Sequence, residues 1–166
     1  ALDLRLGCVD RFETRREFGA ALEVLEQMLA ERRGNIALLS RKANLLRAMQ
    51  RGEEALTVYL EIADLFVKID EFENAAGVYQ TIVTLDPGRL EHRHRQVELY
   101  LRLEREPVVV DKTLELVAMH RVRNESGDAL RLLERILSRL PESTPLLGLA
   151  AELYQQEGRR GEAAER

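Results

Sequence analysis

The sequence predicts an all-α protein of about nine helices joined by very short turns and folded back on one another as antiparallel hairpins. Three observations carry this. The chain is rich in Leu, Ala, Glu and Arg, which are strong helix formers, and its 166 residues include four prolines, no tryptophan and only 5% aromatics. Turn signals punctuate it roughly every 18 residues: Gly34-Asn35, Arg51-Gly52, Ile69-Asp70, Asp86-Pro87-Gly88, Arg105-Glu106-Pro107, Asn124 to Gly127, Pro141 to Pro145, and Glu157 to Gly161. Between them apolar residues recur in steps of three and four, as at Ala55, Val58, Tyr59, Ile62, Ala63 and Phe66, and again at Ala75, Val78, Tyr79, Ile82 and Leu85. That spacing gives a helix one apolar face, and turns this short make consecutive helices antiparallel neighbours.

Taken in order, the elements fall into a repeat. At an offset of 54 residues without gaps, Leu45 meets Leu99, Leu60-Glu61 meets Leu114-Glu115, Ala75 meets Ala129, Ile82 meets Ile136 and Pro87 meets Pro141. A further shift places Glu98-Leu99-Tyr100 on Glu152-Leu153-Tyr154, and the reverse shift places Phe66 on Phe12 and Ala75 on Ala21. The expected unit is three helices long. One solenoid domain over 1–166 would then hold the last two helices of a unit (1–35), complete units at 36–89 and 90–143, and the opening of another (144–166). No single unit covers its own apolar faces, so stacking creates the core.

Ala43, Ala63, Ala75, Ala129 and Ala151 would allow close helix approach, with Tyr59, Phe66, Tyr79, Tyr100 and Tyr154 filling the wider gaps. Asp70 and Asn124, which superpose at the 54-residue offset, read as N-caps. Glu73 completes a capping box with Asp70, and Pro145 reads as a first-turn proline behind Thr144 as cap.

These landmarks resemble the tetratricopeptide repeat family, a 34-residue helix-turn-helix with small residues at repeat positions 8, 20 and 27, aromatics at 11 and 24, and proline at 32. A repeat starting at Ile36 places Ala43, Leu46, Ala55 and Tyr59 at positions 8, 11, 20 and 24. One starting at Leu56 places Ala63, Phe66, Ala75, Tyr79 and Pro87 at 8, 11, 20, 24 and 32. One starting at Thr144 places Ala151, Tyr154 and Ala163 at 8, 11 and 20. The chain departs from the pattern at position 27, which is Met28, Ile82 or Ile136, and at position 4, which is never Trp. Its frames advance alternately by 34 and 20 residues, so helices 53–69 and 108–124 each serve two repeats. The resemblance implies a right-handed α-solenoid.

It also implies a protein–protein interaction scaffold that binds a partner peptide or helix in a concave groove lined by the first helices, here 36–50, 90–104 and 144–157. The groove positions become Ser40, Arg41, Asn44 and Arg47 in one unit and His94, Arg95, Glu98 and Leu101 in the next, followed by Arg102. Arginine offers a planar donor fork to carboxylates. Glu98 and Glu152 stand where chaperone-tail binders need Asn, so chaperone tails are not expected as ligands.

Other chemistry finds little support. There is no Gly-rich phosphate loop, zinc-protease motif or nucleophile elbow, so no enzyme activity and no cofactor are expected. Cys8 is expected to pack inertly on an apolar face with Leu4, Val9 and Phe12. His92 and His94 are two residues apart, which points them to different helix faces, and His120, which replaces Phe66 in the repeat, is expected to pack. No metal site is therefore expected. The most basic stretch, Arg89 to Arg95, is diluted by Glu91, Glu98 and Glu104. A net charge of −4 with pI near 5.6 disfavours nucleic acid, which needs a concentrated basic surface.

Alternative readings are a regulatory or sensor arm of a larger enzyme or transcription regulator, an RNA-binding helical repeat, and self-association through exposed end helices. No apolar run is long enough to span a membrane. Ala1-Leu2-Asp3-Leu4 reads neither as a signal peptide nor as a native start, which leaves the cytoplasm as the default expectation. All but three of the 25 basic residues are arginine, the exceptions being Lys42, Lys68 and Lys112, which suggests a GC-rich bacterial genome.

Overall fold

The computed structural model describes residues 2–164, with side chains over 3–158. Regular structure among the described residues is α-helix throughout: α1 (Leu2–Thr14), α2 (Phe18–Glu31), α3 (Ile36–Ala48), α4 (Gly52–Lys68), α5 (Phe72–Leu85), α6 (Leu90–Arg102), α7 (Glu106–Val122), α8 (Ser126–Leu137) and α9 (Thr144–Ala164). None of these helices is long and apolar enough to cross a membrane. The all-α architecture of short-turned hairpins expected from the sequence is the one found. The chain divides into two compact units, Ala1–His92 and Arg93–Arg166, and the division falls inside α6.

Five turns are built the same way. Arg16, Gln50, Asp70, Glu104 and Asn124 all have φ between 54° and 60°, the left-handed region. In each, that residue's N–H bonds the carbonyl three residues back and the next N–H bonds the carbonyl five back. Asp70 N–H donates to Val67 O at 3.2 Å and Glu71 N–H to Phe66 O at 2.9 Å; Asn124 N–H donates to Arg121 O at 3.1 Å and Glu125 N–H to His120 O at 2.9 Å. This is the Schellman closure, which satisfies carbonyls a helix end would otherwise leave unpaired.

The expected N-caps at Asp70 and Asn124 are therefore corrected. Glu71 and Glu125 occupy the N-cap positions, without a side-chain capping bond, so the Asp70–Glu73 capping box is out of register. Asp and Asn tolerate the left-handed conformation better than most residues, and it is this property that the turn uses. Elsewhere, Gly34 supplies a φ of +72° in the α2–α3 turn, and Asn35 caps α3 by accepting from Leu38 N–H at 3.0 Å.

Each closure has a packing consequence. Four residues after the N-cap the next helix presents Ala21, Ala55, Ala75, Val109 or Ala129, whose N–H bonds the N-cap carbonyl. The four alanines are fully buried and Val109 is 1% exposed, so each small side chain sits where the two helices leave the turn. In the first unit α1 to α5 pack in sequence order around Leu25, Met28, Leu46, Ile62 and Ile82. In the second, α8 packs against α7 and α9 around Leu116, Leu133, Ile136, Leu146 and Leu153.

The last helix departs from expectation in three ways. The turn signal at Glu157 to Gly161 does not break α9, whose backbone is helical to Ala164. A mid-helix glycine costs only about 1 kcal/mol, and no proline accompanies Gly158 and Gly161. Thr144 is the first helical residue rather than the cap. The buried residues are Leu146, Ala150 and Leu153, while Ala151 is exposed and Tyr154 is 52% exposed. The face packed on α8 is thus one step out of phase with the expected one. Ala163 lies outside the residues whose side chains are described.

Two outcomes follow for stability. Ala75→Arg or Ala129→Arg should lower the thermal midpoint sharply, since overpacking alone costs about 1–3 kcal/mol and a buried charge adds to it; an unchanged midpoint would refute the assigned contacts. Gln50→Gly and Glu104→Gly should each stabilise by up to about 1 kcal/mol by relieving left-handed strain, and Asn124→Gly by less. Urea midpoints at constant m-value measure this, and a loss of stability in the first two would contradict the turn geometry.

Candidate functional site

The second unit carries a lined surface depression between α6 and α8. The apolar face of α8 is buried through Ala129, Leu132, Leu133 and Ile136, which leaves Arg131 and Arg135 exposed one helical turn apart. Arg139, just past the helix end, continues the row. On α6, His94, Glu98, Leu101 and Arg102 lie along one face at steps of three and four. Arg135 Nη1 donates to Glu98 Oε1 at 2.8 Å and ties the two helices together.

Three openings adjoin along this seam. A central one of about 320 Å3 is lined by Glu98, Leu101, Arg102, Arg135, Ser138 and Arg139. A second, of about 270 Å3, shares Leu101 and Arg139 with it and reaches Glu104 to Glu106. A third, of about 240 Å3, shares Arg135 and contains His94, His120, Asp128 and Arg131. The central opening thus sets three guanidinium groups against one carboxylate, although the whole chain is acidic.

Of the second-unit residues expected at a groove, Glu98, Leu101 and Arg102 line the central opening and His94 the third. Arg95 is exposed, with Nη1 3.3 Å from Glu98 Oε2. The contribution of α8 was missed by sequence reasoning. Its signal was present in the four-residue steps of Arg131, Arg135 and Arg139, which place one charge type along one helix face.

In the first unit the α3 candidates are largely engaged inside the protein. Arg41, its side chain 29% exposed, bonds Asp10 and Glu13 of α1, the latter at 2.9 Å. Asn44 Oδ1 accepts from Tyr59 OH at 2.8 Å, Ser40 is half-buried, and Arg47 is exposed.

The histidines have distinct surroundings. His92 is buried, with Nε2 3.7 Å from Asp86 Oδ2 and no hydrogen-bond partner. Burial pushes its imidazole below the ordinary value, against the pull of Asp86. His120 is 5% exposed, but it does more than pack: Nδ1 is 2.9 Å from Glu125 Oε2 and Nε2 is 3.2 Å from His94 Nε2. The hydrogen bond from Arg131, and then the nearby His120 and His94, hold the Asp128 carboxyl below its usual value. Cys8 is exposed, which corrects the buried position expected for it. Val9 takes the fully buried place on α1, and Leu4 is 74% exposed, so the packed face is one residue off the expected one.

No family model matches the chain, and no curated protein matches it. Solved structures do. The chain is similar to the nearly identical TPR-like repeats of a putative kinesin light chain from Podosopora anserina, at 18% identity and a TM-score of 0.45, covering 99% of this chain and 90% of that one. It is similar to a tetratricopeptide repeat protein from Parabacteroides merdae, at 20% identity and a TM-score of 0.34, covering 98% and 76%. It is also similar to a thermophilic TPR protein in Thermus thermophilus, at 14% identity and a TM-score of 0.33, covering 93% and 100%.

Proposed function

We propose that this chain is a non-catalytic protein-interaction module whose α6–α8 groove binds an extended, acidic segment of a partner protein. The observation that carries the reading is the central opening, where Arg102, Arg135 and Arg139 surround an apolar floor at Leu101 and face the single carboxylate of Glu98. Arginine forks hold carboxylates in two parallel hydrogen bonds, and a partly apolar floor accommodates a side chain between them. The reading rests on the three-helix organisation, with units at 36–89 and 90–143 flanked by partial units at 1–35 and 144–166. Ser40, Arg41, Asn44 and Arg47 form a narrower strip on α3, in which Arg47 is the exposed cation. RNA is the weaker reading, because a chain of net charge −4 lacks the extended basic surface that neutralising a run of phosphates requires.

A peptide array of acidic, neutral and basic twelve-residue segments tests this. Acidic segments should bind preferentially, and Arg135→Glu with Arg139→Glu should weaken them at least roughly tenfold, since each charge-assisted hydrogen bond contributes about 1.5–3 kcal/mol. Helicity should stay unchanged and the thermal midpoint should fall only slightly, because both arginines are exposed and the half-exposed Arg135–Glu98 pair contributes little. Binding without acidic preference, or indifferent to the double reversal, would remove the groove assignment.

A further inference from the structure

The α7–α8 turn places His120, Glu125 and Asp128 in a small volume. His120 is the third residue from the helical end of α7, and Glu125 is the N-cap of α8. The backbone bond from Glu125 N–H to His120 O, 2.9 Å, closes the Schellman turn between them. The turn therefore fixes the distance between the two side chains, and Glu125 Oε2 lies 2.9 Å from His120 Nδ1. A carboxylate accepts, so Nδ1 carries the proton and Nε2 presents its lone pair.

That lone pair points at His94 Nε2, 3.2 Å away on α6, with ring centroids 5.3 Å apart. Ligand atoms of His120, Glu125 and Asp128, in the first turn of α8, all lie within 4.8 Å of one another, and the exposed Asp128 side chain would have to turn toward His94 to complete a shared site. The third opening, about 240 Å3, is lined by His94, His120 and Asp128.

We propose that His94 Nε2, His120 Nε2 and Asp128 bind a divalent transition-metal ion such as Zn2+, with Glu125 supporting His120 from the second nitrogen. Bond lengths favour it. An ion at about 2.0–2.1 Å from both imidazoles would see two nitrogens 3.2 Å apart at an angle of about 100°, close to tetrahedral. The His120 Nε2 lone pair at that distance is met either by an N–H on His94 Nε2 or by a cation held between the two rings. The carboxylate on the far nitrogen is the arrangement that orients metal-bound histidines and raises their basicity. Two imidazoles and one carboxylate select Zn2+, Co2+ or Ni2+ over Mg2+ and Ca2+. Arg131 already bonds Asp128 Oδ1, so binding requires it to yield that oxygen or share the carboxylate.

The repeat supplies a comparison. At the 54-residue offset, His94, His120, Glu125 and Asp128 correspond to Ser40, Phe66, Glu71 and Asn74. The first unit packs the same turn with a phenylalanine and lacks both imidazoles. The site belongs to one unit and needs no peptide partner, and its opening adjoins the central one through Arg135.

The experiment uses the full chain without an affinity tag, washed with chelator. Co2+ titration followed by visible absorption, and Zn2+ titration followed by calorimetry, should each give one ion per chain, while Mg2+ gives none. His120→Phe, which restores the packing residue of the other unit, should abolish binding at unchanged helicity. His94→Ala, at a half-buried position, should do the same and decides the matter if His120→Phe does not fold. Glu125→Gln should weaken affinity about 10–100-fold, and His92→Ala should leave it unchanged. No saturable Co2+ or Zn2+ binding, or binding indifferent to His94→Ala, would overturn the proposal.

Discussion

Every connection in this chain must reverse direction within three to six residues, and in five of them a single left-handed residue does it. The double hydrogen bond that closes each of these turns, from the left-handed residue and the one after it, leaves no slack between the two helices. They diverge from a point where their backbones are nearly in contact. Four of the five equivalent positions there are alanine, at 21, 55, 75 and 129, each fully buried, and the fifth is Val109. Larger residues fill the core only as the helices separate, and the outward faces carry the charge. The hairpins, the apolar core and the exposed arginine rows are all consequences of that tight closure.

Much of this was legible before any coordinates. The three-and-four spacing located the helices because burial of one helix face imposes that period on any packed helix. What misled was local chemistry that serves two purposes. Asp and Asn are favoured both as N-caps and in the left-handed conformation, so Asp70 and Asn124 signalled a boundary but not which side of it they serve. Arg16, Gln50 and Glu104 gave no signal, since nothing in an arginine, glutamine or glutamate advertises a positive φ. The α1–α2 turn, Arg15 to Glu17, contains neither glycine nor proline, and only the repeat offset implied it. At α9 the opposite happened: two glycines looked like a break but were too weak to make one.

The lining of the seam proposed for binding was half legible for a related reason. Family positions directed attention to α6, and Glu98, Leu101 and Arg102 do line an opening there. They gave no reason to look at α8, which the resemblance assigns to a second helix. Electrostatics supplies the reason. A chain of net charge −4 sets several of its arginines beside carboxylates, as in Arg51–Glu54 at 2.6 Å or Arg5–Glu31 at 2.6 Å. Exposed pairs of this kind contribute little to stability. Arg135 and Arg139, beside Arg102, are concentrated instead at one seam, in an opening whose lining includes a single carboxylate, Glu98. Net charge describes the solubility of the whole molecule, whereas a ligand meets the local field within a Debye length of about 8 Å.

His120 joins the two themes. Its position is set by the turn closure, since its own carbonyl accepts the bond that fixes Glu125. The equivalent residue in the preceding unit is Phe66, so packing alone does not require an imidazole. Burying one is unfavourable unless both nitrogens find partners. Glu125 satisfies Nδ1 through a geometry that the backbone has already imposed. Nε2 is left to face a second imidazole from another helix, an arrangement that needs a proton or a cation between the rings to be attractive. A phenylalanine would have avoided the whole problem at no loss of packing. Either an N–H on His94 Nε2 or a cation between the rings completes the partnering of the buried His120.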